Sequence, residues 1–290
     1  MAFFIKDLIK EERSREEMAI SKKVKDALEG ASWVRRMFVE GEELKRIYGE
    51  ENVYDFSLGN PNLEPPEALK RALKELANHP VTGMHRYMPN NGYLETRKAI
   101  ADYLREESNL PFTENHVVMT VGAAGGLNVV LKALIDEGDE VIVPSPYFME
   151  FKFYIENSGG VLRLVQTNDD FSLNLKNIEE AIHLKTKAVL INTPNNPTGV
   201  IYDEESIQNL GVLLERKSRE LGKTIYLITD EAYRRIVYDQ IQLPIPFRYY
   251  PHSIRVTSHS KDLSLPGERI GYVAVHPDCE EVEELMAALV

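Results

Sequence analysis

Short apolar runs alternate with amphipathic helical stripes from about residue 66 onward, and this alternation limits the possible folds more than any other feature. The apolar runs are HVVMTV, DEVIVP, KAVLINT, TIYLITD, SIRVTS and GYVAV. Between the first two, Leu127, Val130, Leu131 and Leu134 recur at the i, i+3, i+4, i+7 spacing of one helix face. Strands separated by helices predict βαβ units and a mostly parallel sheet that is covered on both faces. We therefore expect a three-layer α/β/α fold.

The N-terminal part of the chain differs from the rest. Residues 1–50 are rich in charge and show helical spacing, and the stretch VYDFSLGNPNLEPP that follows contains Gly59 and three prolines. Clusters of glycine and proline interrupt regular elements and often separate structural units. We predict an N-terminal helical arm over residues 1–50 and one large domain over residues 51–290.

Composition and charge exclude several classes of function. The net charge of −12 argues against a surface for nucleic acid or anionic lipid. No run has the length and apolar character of a membrane span, and the N-terminus lacks the apolar core of a signal peptide. Cys279 is the single cysteine, which favours a reducing compartment. The seven histidines show no metal-ligand spacing. We predict a cytoplasmic protein with no metal, membrane or nucleic-acid site.

Polar or glycine-containing stretches follow five of the expected strands. They are GAAGG, SPYF, PNNPTG, DEAY and SHSK, in chain order. In open α/β sheets, ligands bind beyond the carboxyl ends of the strands. The five stretches are therefore predicted to converge on one binding site.

The last of these stretches, SHSKDLSLPGERIGY, suggests the chemistry of that site. A loop lysine is usually a solvated charge, but Lys261 follows two nearby serines, Ser258 and Ser260, and lies eight residues before Arg269. Hydroxyls and a guanidinium suit a phosphate. A partly desolvated lysine near cations has a lowered pKa and can attack a carbonyl. A phosphate-bearing aldehyde would satisfy both halves of the pattern.

Two of the other stretches leave structural alternatives open. Asp230 ends an apolar strand and could cap a helix, or it could pair with a protonated ring nitrogen that Tyr233 also reaches. The glycines from Gly122 to Gly126 could let a helix pack closely on the sheet, or they could leave helix N–H groups free for an anion. The stretch matches neither GxxxxGK[ST] nor GxGxxG, so those nucleotide-binding motifs are not indicated.

Six motifs occur in the order found in one known family. They are SLGNP, YMPNNGYLETRKAI, VGAAGG, PNNPTG, DEAY and SHSKDLSLPGERIGY. From roughly Trp33 to its end, the chain resembles the fold-type I pyridoxal-phosphate-dependent aminotransferases of the aspartate aminotransferase superfamily (class I/II). The resemblance implies pyridoxal 5'-phosphate as cofactor. It also implies transfer of an amino group from an L-amino acid to a 2-oxo acid by way of a lysine Schiff base.

The resemblance implies roles for individual residues. Lys261 is similar to the Schiff-base lysine that also moves the proton, and Asp230 to the partner of the pyridine nitrogen. Tyr233 and Asn196 are similar to the pair on the ring's phenolic oxygen, and Tyr147 to the aromatic residue that stacks on the ring. The residues that resemble the phosphate cradle are Ser258, Arg269 and the backbone N–H groups of Ala123 and Ala124.

Two further residues would extend the site. Gly59 is similar to the glycine whose backbone meets the substrate carboxylate, where Asn196 would also contact substrate. Tyr87 is similar to the tyrosine that reaches the phosphate of the neighbouring subunit. That similarity implies a homodimer with shared sites.

The sequence also departs from the family pattern. Ala124 stands where some relatives carry a serine or threonine, which would weaken the phosphate cradle slightly. Only 29 residues follow Lys261, so we expect the C-terminal small domain, with its carboxylate-clamping arginine, to be absent and the chain to be a truncated form. Two alternatives stay open: a pyridoxal-phosphate-dependent lyase or synthase of the same fold, and a cofactor-binding fragment without activity.

Overall fold

The computed structural model describes residues 20–21, 24–25, 32–56 and 59–290. The chain divides into two compact units, one ending at Asn60 and the other spanning Pro61–Val290. In the first unit, helix α1 covers Ser32–Tyr48 and a single 3-10 turn covers Glu50–Asn52. Much of the expected arm lies outside the described residues. The expected boundary between residues 50 and 51 stays a prediction.

A mixed sheet forms the centre of the second unit. Its strands, among the described residues, are β1 (Val117–Val121), β2 (Glu140–Ser145), β3 (Val161–Gln166), β4 (Thr186–Asn192), β5 (Tyr226–Asp230), β6 (Ser253–Ser258) and β7 (Ile270–Val275). Their order across the sheet is β1-β7-β6-β5-β4-β2-β3. Strand β7 runs antiparallel to both of its neighbours, and the other adjacent pairs are parallel. The mostly parallel sheet expected from the sequence is confirmed.

Helices connect the strands. Those of the second unit are α2 (Glu67–Asn78), α3 (Leu94–Ser108), α4 (Gly122–Leu134), α5 (Glu150–Asn157), α6 (Leu175–Ala181), α7 (Glu204–Leu221) and α8 (Val282–Ala288). Local chemistry sets several of their ends. The Asp203 side chain accepts from the Ser206 N–H at the start of α7, and Gly222 ends that helix in the left-handed region. No described helix has the length and apolar character needed to cross a bilayer.

Alternation along the buried strands divides the core into two layers. In β4, Ala188 and Leu190 face a cluster built with α4, α5 and α8, whereas Val189 and Ile191 face a cluster built with α6 and α7. The sheet is thus covered by helices on both faces, and the expected three-layer architecture is confirmed.

A third cluster fixes helix α3 at the β1 side of the sheet. Ala101 and Leu104 pack there against Val117, Phe247 and Tyr272. This packing places the last turn of α3, with Glu107, against the inner strands.

All strands except β7 point in the same direction, because β1 and β6 both run antiparallel to β7. The carboxyl ends of β1, β2, β4, β5 and β6 therefore open at the same edge of the sheet. Since ligands of open α/β sheets bind beyond the carboxyl ends of the strands, the functional site is expected at this edge.

Candidate active site

A cavity of about 270 Å³ lies at the carboxyl edge of the sheet, and the segments after β1, β2, β4, β5 and β6 all contribute to its wall. The predicted convergence of the five strand ends is thus what the structure shows. The expected site residues that line the cavity are Ala123, Ala124, Asn196, Asp230, Tyr233, Ser258, Lys261 and Arg269.

Asp230 presents a buried carboxylate to this cavity. It is the last residue of β5 and is 6% exposed. The Ala232 N–H donates to its Oδ1 at 3.2 Å. Among the described lysine, arginine and histidine side chains, none forms an ion pair with it. Burial, with a smaller contribution from the Glu231 charge, raises the pKa of Asp230 to about 7. The segment after Asp230 is a turn and not an α-helix, so the helix-cap alternative does not apply.

Lys261 enters the cavity from the turn that follows β6. Its side chain is half-buried, and this desolvation lowers the pKa of its amine. Two backbone bonds hold the base of the turn, His259 N–H to Ile270 O at 2.9 Å and Leu265 N–H to His259 O at 3.2 Å. His259 Nδ1 also lies 3.1 Å from Asp262 Oδ2. The amine is therefore supported by a fixed loop and is more easily deprotonated than a solvated lysine.

Hydrogen bonds connect the ends of β4 and β5. The Asn192 side-chain amide donates to the Asp230 carbonyl at 3.0 Å, and Asn192 Oδ1 accepts from the Asn196 N–H at 2.6 Å. The Asn196 side-chain amide in turn donates to the Tyr233 hydroxyl at 3.2 Å. Burial, and secondly the Asp230 charge, raise the pKa of Tyr233. Tyr233 thus keeps its hydroxyl proton and can donate it to a ligand oxygen.

The opposite wall of the cavity is suited to an anion. Helix α4 starts there, and no side chain of the described residues caps its N-terminus, so its first N–H groups can meet a ligand. Arg269 lies directly over this end, since a Cβ at Gly122 would come within 2.8 Å of its Nη2. Gly122 also has φ +69°, in the region that favours glycine. Ser258 adds a buried hydroxyl to the lining.

The two alternatives for the glycine-rich stretch apply to different glycines. Gly122 leaves room for the Arg269 guanidinium, as described above. Gly126, one turn later, allows close packing on the sheet, because a Cβ there would come within 2.7 Å of Val256 Cγ1.

Two of the expected site residues, Tyr147 and Tyr87, do not line the cavity. Tyr147 does not line the cavity and packs against the core, whereas its neighbour Phe148 does line it. Phe148 is thus the aromatic side chain that the segment after β2 contributes to the cavity wall. Tyr87 is fully exposed beside a separate crevice, which Arg269 also borders. Gly59 belongs to the first unit and is exposed.

Sequence reasoning missed Tyr154 of helix α5, which also lines the cavity. Burial raises its pKa to about 12. Its position follows from the docking of α5 against the core, and no local motif indicates it. Among the described residues, no group of histidine, cysteine, aspartate and glutamate side chains could hold a metal ion.

Known proteins resemble this chain in sequence and in fold. The family model for "Aminotransferase class I and II" matches residues 51–290. The "Probable aspartate aminotransferase" of Methanocaldococcus jannaschii is 32% identical over 236 residues, which are 80% of this chain and 59% of that protein. The chain thus spans about three fifths of the length of the curated relatives it matches.

Solved structures match more of the chain. An amino transferase from Eubacterium rectale gives a TM-score of 0.89 at 40% identity, covering 94% of this chain and 69% of that one. Aspartate aminotransferase from Thermus thermophilus, solved with maleate, gives a TM-score of 0.76 at 30% identity, covering 88% of this chain and 64% of that one.

Proposed function

Since this chain belongs to the class I and II aminotransferase family, we propose that it binds pyridoxal 5'-phosphate. We propose further that it serves transfer of an amino group from an L-amino acid to a 2-oxo acid. The observation that carries the proposal is the cavity at the sheet edge. It unites a buried carboxylate that lacks a cation among the described residues, a desolvated lysine and an anion-binding corner.

The residues present fit the proposed cofactor. Asp230 is costly to ionise in its buried position, and a protonated pyridine nitrogen would supply the missing positive charge. Arg269, Ser258 and the N-terminus of α4 would hold the phosphate, although the chain as a whole is strongly acidic. Phe148 lies in the wall where the face of the ring would be covered.

The bound cofactor supplies an aldehyde that condenses with amines and a ring that withdraws electrons from the carbon bearing the amine. Lys261 provides the amine that tethers it, and the lowered pKa of Lys261 favours the unprotonated form needed for this role. The same Nζ would accept a proton from the amino acid Cα and return it. Asp230 would keep the ring nitrogen protonated. Tyr233, which accepts a hydrogen bond from the Asn196 side chain, would donate to the phenolic oxygen.

Other parts of the proposal concern the assembly. Tyr87 is fully exposed, as expected of a residue that serves the site of a second copy in a homodimer. Gly59 would meet the substrate carboxylate. A cytoplasmic location is consistent with Cys279, which is a buried free thiol.

Borohydride trapping tests the proposal directly. The purified 290-residue chain is mixed with pyridoxal phosphate, reduced with borohydride, digested and analysed by mass spectrometry. We expect one covalent label, on Lys261, and a yellow solution before reduction. Labelling spread over surface lysines, or equal labelling of Lys261→Ala, would refute the assignment.

An amino-acid panel then separates the reaction classes. Transamination leaves the cofactor in its aminated form and releases the 2-oxo acid of the donor. A lyase regenerates the starting colour after each turnover. A chain that takes the label on Lys261 but shows neither change with any donor is a cofactor-binding fragment.

A further inference from the structure

Four charged side chains form a buried cluster directly behind the cavity. We call Glu107, Glu231, Arg234 and Arg255 the arginine–glutamate cluster. Arg255 Nη1 donates to Glu107 Oε2 at 2.5 Å, and Arg255 Nε lies 3.1 Å from Glu231 Oε2 in an ion pair. Arg234 bridges the same two carboxylates, with Nε at 2.7 Å from Glu107 Oε1 and Nη1 at 3.0 Å from Glu231 Oε2. Two cations and two anions make the cluster neutral.

The cluster is deeply buried and has additional support. The side chains of Arg255 and Glu231 are each 1% exposed. The Thr229 hydroxyl donates to Glu231 Oε1 at 2.7 Å, and the Tyr103 hydroxyl donates to Glu107 Oε1 at 2.8 Å. Buried ion pairs often stabilise a fold no more than apolar side chains of equal size would. Stability alone therefore does not explain why these four charged residues are buried together.

The connections of the cluster lead to the residues of the cavity. Glu231 follows Asp230, and Arg234 follows Tyr233, so the Glu231–Arg234 ion pair closes the turn that comes directly after Asp230 and contains Tyr233. Arg234 also donates to the Pro244 carbonyl at 3.1 Å. Ala232, inside this turn, lines the site cavity on one side and the cavity bordered by Glu231 and Arg234 on the other.

The backbone of the turn is fixed from β6 as well. The Glu231 N–H donates to the Val256 carbonyl at 2.9 Å, and the Thr257 hydroxyl donates to the Glu231 carbonyl at 3.1 Å. The Arg234 N–H donates back to the Glu231 carbonyl at 3.1 Å. The remaining freedom of the turn is therefore controlled by the Arg234 side chain and its two carboxylate partners.

We propose that the arginine–glutamate cluster positions Tyr233 for the cofactor, and that Arg234 acts on the cofactor only through Tyr233. This inference rests on the proposed function. Arg234 is thus a positioning residue: it is tied to the carboxylates and to a backbone carbonyl, while the Tyr233 hydroxyl faces Asn196 in the cavity.

A double-mutant cycle with a spectroscopic signal tests the inference. The variants are Arg234→Lys, Tyr233→Phe and the double variant, and the signal is the pH midpoint of the absorbance change of pyridoxal phosphate bound to the chain. Lysine keeps the charge but lacks the planar fork that bridges two carboxylates and a carbonyl. We expect Arg234→Lys to raise the midpoint by about 0.5–1 pH unit, since a weaker hydrogen bond to the phenolic oxygen favours its protonation.

The cycle distinguishes positioning from a general structural effect. The double variant should have the midpoint of Tyr233→Phe alone, because Arg234 then has nothing left to position. A wild-type midpoint in Arg234→Lys, or additive shifts in the double variant, overturns the inference. Should Arg234→Lys not fold, Glu107→Gln takes its place with the same expectations.

A matched control comes from the surface of α7. Arg216 also bridges two glutamates, Glu179 at 2.9 Å and Glu220 at 3.0 Å, but it is about half exposed and does not line the cavity. Arg216→Lys should leave the midpoint at the wild-type value, and a shift as large as that of Arg234→Lys would overturn the inference. A wild-type chain that takes no label on Lys261 overturns the proposed function and this inference together. A labelled wild type with an unshifted Arg234→Lys overturns this inference alone.

Discussion

Asp230 and Glu231 are consecutive carboxylates, both almost fully buried, but their surroundings differ in charge. Glu231 meets two guanidinium groups of the chain itself, Arg234 and Arg255. Asp230 receives one backbone N–H and forms no ion pair among the described residues. Glu231 thus points into the arginine–glutamate cluster, whereas Asp230 points into the cavity.

The difference shows how a fold can reserve a site for a ligand. Burying an ion without a partner is expensive, so a carboxylate is normally paired where it is buried. In the cluster, the two arginines of the chain itself pair with the two glutamates. In the cavity, the negative charge of Asp230 has to be neutralised by a bound ligand. Four changes to the chain test this contrast, starting with the largest expected effect.

Arg255→Met removes one cation from the cluster and leaves Glu107 and Glu231 to share Arg234. We expect the free energy of unfolding to fall by about 3–5 kcal/mol, the usual cost of breaking a buried ion pair. Urea titration of the cofactor-free chain at pH 7.5 measures it. A loss below about 1 kcal/mol would mean that the cluster behaves like a surface ion pair.

Asp230→Asn removes the uncompensated charge from the cavity. A raised carboxyl pKa stabilises the fold below the unfolded value of 3.8, and this contribution is lost as the pH rises to about 7. At pH 8 the asparagine variant without cofactor should therefore be more stable than wild type, by about 4 kcal/mol, and near pH 4 it should gain almost nothing. The same variant should bind pyridoxal phosphate more weakly. Reduced stability of the variant at pH 8 would contradict the claim that the buried Asp230 charge destabilises the cofactor-free fold.

Glu107 should show the opposite pH dependence. Burial raises its pKa, but Arg255 and Arg234 outweigh that effect and lower the value to about 2. Its contribution is complete above pH 4.5 and is lost as the pH falls towards 2. Glu107→Gln should cost about 2 kcal/mol at pH 6, and its difference from wild type should narrow between pH 4.5 and 3. Chemical denaturation at several pH values measures the difference in free energy of unfolding between the two proteins. A purely steric effect of the substitution would leave this difference constant with pH.

Arg216→Lys is expected to have the smallest effect. Its two partners on the surface of the molecule are about half exposed, and ion pairs in water contribute little. The free energy of unfolding should change by less than about 0.5 kcal/mol. A larger change would contradict the expectation that the exposed ion pairs of Arg216 stabilise the fold much less than the buried ion pairs of the arginine–glutamate cluster.

Much of the fold and of the cavity could be predicted from sequence because the signals are local. The strand ends carry their polar residues within a few positions, and the parallel direction of the strands brings them together. Strand β3 was not predicted from the sequence. Its segment VLRLVQ is a partly exposed edge strand that pairs with β2 alone, so it lacks the continuous apolar run of the inner strands. The stretch SPYF indicated a wall of the cavity, but the residue predicted from it was Tyr147, whereas Phe148 is the one that lines the cavity.

The arginine–glutamate cluster could not be predicted in the same way. Glu107 and Arg255 are 148 positions apart and meet because α3 packs over β1 and β7 at the β1 side of the sheet. Either residue alone is typical of a solvated charge. Long-range packing, which a sequence motif does not encode, determines which charges become buried together.

Stability as a function of pH, measured with and without pyridoxal phosphate, tests the central claim most directly. The claim is that the cofactor completes the charge balance of Asp230. Without cofactor, the free energy of unfolding should fall between pH 5 and pH 8 through this one group. With saturating cofactor the fall should disappear, and Asp230→Asn should lack it in both conditions. An identical slope in wild type and Asp230→Asn, unchanged by the cofactor, would contradict the account.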